Sequence, residues 1–193
     1  MTHELTTTPF QAGDFLSYLQ NWLKALPSIP LTDIVSKPEQ IALISTDLTK
    51  GFCETGPLAS PRIKKIARPA ADLIDRLWNL GVRAIILSQD THEPDAIEFS
   101  AWPPHCVRGT SEPEPVEAIL NLPFFDQLLL LEKNSISSDL NTELSAWLAQ
   151  NPQIDTFIIL GDCTDLCVYQ LAMYFRLDAN ARQGQRRVIV PAN

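Results

Sequence analysis

The sequence holds no apolar run approaching the ~20 residues that span a bilayer, and it lacks a concentrated basic face. Lys and Arg number 15 against 23 Asp and Glu, a formal net charge of −8 at pH 7. That balance excludes a phosphate-backbone binder, which needs clustered cations, and argues against docking on an anionic membrane. The densest basic cluster, Arg182, Arg186 and Arg187, carries only three charges. Residues 1–11 lack the basic-then-apolar layout of a signal peptide, so a cytoplasmic location is expected. Internal repeats and low-complexity tracts are absent. Cysteine is sparse, with four residues at 53, 106, 163 and 167. In a cytosolic chain these read as catalytic or buried thiols and not as a disulfide framework. What remains is ordinary globular material: 193 residues, 45% hydrophobic and 20% charged, enough for one domain with a core.

Residues 10–26 set Phe10, Phe15, Leu19, Trp22, Leu23 and Leu26 at roughly helical spacing, which predicts an amphipathic helix with an apolar stripe. Pro27 and Pro30 end it, and a linker runs to about residue 40. Five apolar runs follow as strands: 41–47, 82–90, 126–133, 155–162 and 188–193. Helical patterns at 62–80, 114–121, 139–150 and 165–179 alternate with them, and 91–112 reads as loop. This alternation predicts an α/β fold, a three-layer α/β/α sandwich around a mostly parallel sheet. The expected organisation is an N-terminal helical extension over 1–40 and one domain over 41–193.

Polar residues close the strands: Asp47, Asp90 and Lys133 each end an apolar run, and the segment 161–167 follows another. In open parallel sheets, sites form beyond the carboxyl ends of strands, so one crevice is nominated. Cys167, in GDCTDLCV, falls at the start of a helix, where exposed N–H groups favour a thiolate. A buried structural thiol is the bland alternative. Asp47 and Lys133 at adjacent strand ends weigh toward a nucleophile, by deprotonating the thiol and steadying charge. A second set is Asp90-x-His92 with Glu98 and His105, two of the three histidines in the chain. Nitrogen and oxygen donors of this kind suit Zn²⁺, Fe²⁺ or Mn²⁺, and geometry and availability decide among them.

ALISTD with Phe52 after it, SQDTH, WPPHCVRGT, the lysine of LLLEK and GDCTDLCV occur in this order. Together they resemble the isochorismatase-like cysteine hydrolases, and within them the nicotinamidases, over about residues 41–190. The resemblance implies a catalytic Asp47–Lys133–Cys167 triad. It implies an oxyanion hole from the N–H groups of Cys163 and Cys167, beside a cis peptide at Asp162–Cys163. It further implies a metal held by Asp90, His92, His105 and Glu98, and a substrate ring sandwiched by Phe52 and Trp102. The implied activity is hydrolysis of a small-molecule amide, nicotinamide, to nicotinate and ammonia.

Three departures accompany the resemblance. Where members carry Tyr-Ser-Ala-Phe after the lysine, this chain has Ile136-Ser137-Ser138-Asp139, so an aromatic wall is missing. The glycine usual after WPPHCVRGT is replaced in Ser111-Glu112-Pro113, which alters that loop. The chain stops at VIVPAN, where members usually continue through one more loop and helix: either this end is a truncation, or the helix of 10–26 covers the surface so exposed, and its stripe serves equally to join copies in a homo-oligomer. The first departure keeps open an amidohydrolase acting on another small amide, and the third a non-catalytic ligand-binding member.

Overall fold

The computed structural model describes residues 12–192. Phe10, the first residue of the expected N-terminal stripe, lies outside them. Val35–Pro191 forms one compact unit, and the helices α1 (Ala12–Lys24) and α2 (Leu31–Ile34) belong to another. Of the expected stripe, Phe15, Leu19, Trp22 and Leu23 fall in α1, with Phe15, Trp22 and Leu23 exposed and Leu19 half-buried, and Leu26 follows the helix.

The larger unit is built on five parallel strands: β1 (Ile41–Thr46), β2 (Ala84–Asp90), β3 (Leu129–Lys133), β4 (Thr156–Gly161) and β5 (Arg187–Ile189). Their order across the sheet is β3-β2-β1-β4-β5. The chain winds from β1 outward to β3, then returns to the other side of β1, so a topological switch point falls between β1 and β4. Every residue of β1 is buried, as expected of a central parallel strand covered on both faces.

Alternation along the strands divides the core. Ala42, Ile44, Ile86, Leu131, Phe157 and Ile159 face α6 (Leu144–Gln150) and α7 (Tyr169–Ala181), where Leu144, Leu171 and Phe175 meet them. The rings of Phe157 and Phe175 stack with centroids 3.9 Å apart. Leu43, Ile85 and Ile158 share a register and lie on the opposite face. There α4 (Pro61–Asn79), capped by the Ser60 hydroxyl, buries Ala67, Ala70, Ala71, Ile74 and Leu77. Pro69 sits on its exposed side. Two short helices, α3 (Lys50–Cys53) and α5 (Glu117–Leu120), complete the unit. The three-layer α/β/α expectation therefore holds, with a sheet that is entirely parallel.

Several boundaries shift for physical reasons. The strand expected from 126 starts at Leu129, because residues 125–127 form a 3₁₀ turn. The helix expected from 139 starts at Leu144. Before it, Ser137, Asp139 and Thr142 bond local polar groups instead of continuing a helix. The helix expected from 165 is preceded by a π-turn over Thr164–Val168. The last strand is confined to Arg187–Ile189.

Candidate active site

Asp47, directly after β1, adopts φ +56°, a left-handed conformation uncommon for a residue with a side chain. The bend aims its carboxylate across the sheet, where Oδ1 accepts the Asp90 backbone N–H at 2.9 Å. Lys133, closing β3, is fully buried, with Nζ 3.0 Å from Asp47 Oδ2 and in direct contact with Asp90 Oδ1. The same ammonium donates to the Ser135 carbonyl at 3.1 Å and lies 3.9 Å from Cys167 Sγ. Cys167 sits in the π-turn that leads into α7, its thiol beside the Lys133 ammonium and near enough to Asp47 for the carboxylate charge to act on it. Acid, amine and thiol thus come from three separate strand ends into one buried cluster.

Burial lifts the Asp47 carboxyl to about 6, with the negative charge of Asp90 adding to the rise and Lys133 opposing it. Burial pulls the Lys133 ammonium down, yet the two carboxylates hold it well above its ordinary value. Cys167 is pushed far up, first by burial and then by the Asp47 charge. The sequence reading expects a thiolate favoured by helix N–H groups. The folded site instead keeps a neutral thiol beside a base, because burial disfavours the anion more than the helix end favours it.

Asp90, His92 and His105 are all buried, with potential ligand atoms within 4.8 Å of one another. Asp90 Oδ2 lies 3.7 Å from His92 Nε2 and 3.6 Å from His105 Nε2, contacts too long for hydrogen bonds. Neither ring nitrogen of His92 has a hydrogen-bond partner, although the residue is fully buried. His105 Nδ1 pairs with the Pro103 carbonyl at 2.8 Å, which in the neutral ring leaves the Nε2 lone pair facing the cluster. Buried nitrogen lone pairs beside a carboxylate fit a divalent ion of the zinc, iron or manganese type. Burial pushes the Asp90 carboxyl up, but His105, His92 and Lys133 outweigh it and hold it well below the usual carboxylate range. Burial likewise pulls His105 down, and Asp90, Pro103 and Glu98 reverse the sign. Glu98, in a 3₁₀ turn over Ile97–Ser100, is half-buried and outside the three-residue group; it acts on His105 through charge.

Phe52 is buried in α3, its ring 5.6 Å from that of His105. Trp102 is 42% exposed and joins no ring contact among the described residues. Phe99, which the sequence reading passes over, packs against both histidines, with ring centroids 5.4 Å from His92 and 5.7 Å from His105. Its position inside a stretch read as loop concealed it.

One expectation is corrected. The Asp162–Cys163 peptide is trans, as are all described peptide bonds. Gly161 at φ +134° and Cys163 at φ +50° make the chain reversal there. The Cys163 thiol donates to the neighbouring Asp162 carboxylate at 3.6 Å, and burial raises the pKa of that buried acid.

A parallel sheet with a thiol, a carboxylate and an ammonium at its switch point defines a class of nucleophilic hydrolase. The model of the isochorismatase domain matches residues 41–182, and the chain belongs to the isochorismatase-like hydrolase family. It is 29% identical over 153 residues to nicotinamidase 1 of Arabidopsis thaliana, covering 70% of this chain and 60% of that protein. It thus spans less than two thirds of that relative. Among solved structures, N-carbamoylsarcosine amidase from Thermoplasma acidophilum is 30% identical with a TM-score of 0.65. The match covers 78% of this chain and 80% of that one. The zinc complex of a pyrazinamidase from Pyrococcus horikoshii is 26% identical with a TM-score of 0.62, covering 78% and 88%. No helix among the described residues is long and apolar enough to cross a membrane.

Proposed function

We propose that this chain is a metal-dependent cysteine amidohydrolase that converts nicotinamide to nicotinate and ammonia, a step of NAD salvage. The observation that carries the reading is the buried contact of Cys167, Asp47 and Lys133 beside the Asp90–His92–His105 donor set. The similarity to a plant nicotinamidase supports the substrate.

In this mechanism Asp47 takes the Cys167 thiol proton as Sγ bonds to the carboxamide carbon, and the carbonyl electrons move onto oxygen. The Cys167 and Cys163 N–H groups are the donors we assign to that oxygen. Each such donor contributes roughly 3 kcal/mol in acyl transfer. Asp47 passes its proton to the amide nitrogen, the C–N bond breaks, and ammonia departs. Asp47 then deprotonates a water that attacks the thioester, releasing nicotinate and restoring the thiol. Lys133 keeps its proton throughout and holds the carboxylate in place. Phe52 and Trp102 are the residues we assign to the faces of the ring. Asp90, His92 and His105 are the residues that would hold the ion, with Glu98 acting on His105 through its charge. When bound, it supplies a Lewis-acid contact for the pyridine nitrogen.

The test is ammonia release from nicotinamide by zinc-loaded protein, with Cys167→Ala as control. Turnover that vanishes in the control is the expected result. A second reading, hydrolysis of another small amide or ureido compound, is favoured by the similarity to N-carbamoylsarcosine amidase and by the polar Ser135–Asp139 segment, where an aromatic wall is missing. Zinc-bound wild type that ignores nicotinamide but releases ammonia from a panel of ureido acids would establish it.

A further inference from the structure

The loop after His105 departs from the family pattern at Ser111-Glu112-Pro113, and the structure gives that departure a use. Cys106 is buried and adopts φ +44°. Its N–H donates to Glu112 Oε2 at 2.8 Å, and its carbonyl accepts the His92 N–H at 3.0 Å. That Cys106 N–H belongs to the peptide that carries the His105 carbonyl, so whatever holds it fixes the plane from which the His105 side chain departs. The other end of Glu112 is held too, because its carbonyl accepts the Gly51 N–H at 2.8 Å, one residue before Phe52. Space for the carboxylate is made by Gly56, at φ +98°, where a Cβ would lie 2.7 Å from Glu112 Oε1. A surface acid needs none of this.

We propose that Glu112 is a positioning residue for the metal centre, latching the Cys106 N–H so that His105 faces Asp90 and His92. The inference rests on the metal-dependent reading above. A charge-assisted bond to a buried N–H is strong and directional. Outer partners of metal-binding histidines typically govern affinity by about 10–100-fold.

The experiment is zinc affinity measured by competition with a chromogenic chelator, on wild type, His105→Ala, Glu112→Ala, Glu112→Gln and Gly56→Ala. Circular dichroism verifies the fold of each. Glu112→Ala should bind zinc at least tenfold more weakly. Gly56→Ala, which pushes the carboxylate off its partner while leaving Glu112 in place, should do the same. Glu112→Gln keeps an acceptor oxygen and should recover most of the affinity, a rescue that general loosening of the loop does not give. Wild-type affinity in Glu112→Ala, or in Gly56→Ala should the first variant not fold, overturns the latch while leaving the metal reading intact. Equal binding by wild type and His105→Ala overturns the metal reading, and the latch with it.

Discussion

Asp47 and Cys167 divide between them a task that one residue cannot perform. The thiol is held too high to ionise unaided, and the carboxyl is lifted to about 6, near enough to neutrality to receive a proton in the reaction. Two pH profiles should therefore separate. Because Asp47 must be ionised to act as base, kcat/KM should fall about tenfold per unit below about pH 6 and be flat above it. Alkylation of Cys167 by iodoacetamide needs the thiolate itself and should still be climbing at pH 9. A labelling plateau near pH 7 would show that Cys167 rests as a thiolate and would refute this division. Lys133 has a structural share as well. Replacing it with Met leaves two buried carboxylates facing each other, which should cost about 3–5 kcal/mol in urea unfolding. The strand-end positions of these residues were legible in the sequence. Their left-handed or buried settings were not, since φ +56° at Asp47 is imposed by tertiary contacts.

Elements were legible where burial is two-sided. The runs that became β1 and β4 read as strands because continuous apolar residues fit no exposed helix face. At the edge strand β3 the signal weakens: Leu129 and Leu130 are exposed, and Asp126 and Gln127, expected at the strand's start, belong to a 3₁₀ turn before it. The π-turn holding Cys167 had no periodic signature, because it depends on how closely β4 approaches β1. Gly161 sets that approach. A Cβ there would lie 2.0 Å from the Thr46 carbonyl oxygen, and φ +134° suits glycine alone. Gly161→Ala should accordingly push β4 away from β1 and cost more than about 3 kcal/mol, the range of strain at a special backbone position joined to a steric clash. The urea midpoint of the variant checks this, and a midpoint within error of wild type would show that the two strand ends separate freely.

At the scale of the whole molecule, the site residues all lie within the Val35–Pro191 unit. They are gathered from strands and loops far apart in sequence, so global stability and site occupancy are linked. The stretch from Glu93 to Arg108 forms no strand, and its main-chain tie to the sheet is the pair of bonds between His92 and residues 106 and 108. An ion joining His105 to Asp90 and His92 adds a second tie that the unfolded chain lacks. Binding only to the native state stabilises by about 2.7 kcal/mol at a free zinc concentration 100-fold above Kd. For a chain of this size each kcal/mol moves Tm by about 2–4 °C. Zinc should therefore raise Tm by about 5–10 °C over protein stripped with a chelator, and His105→Ala should lose most of that shift. Calorimetry of the four samples decides the matter. If zinc moves wild type and variant equally, the ion binds elsewhere and His105 is no ligand. If it moves neither, the buried histidines and Asp90 serve packing alone.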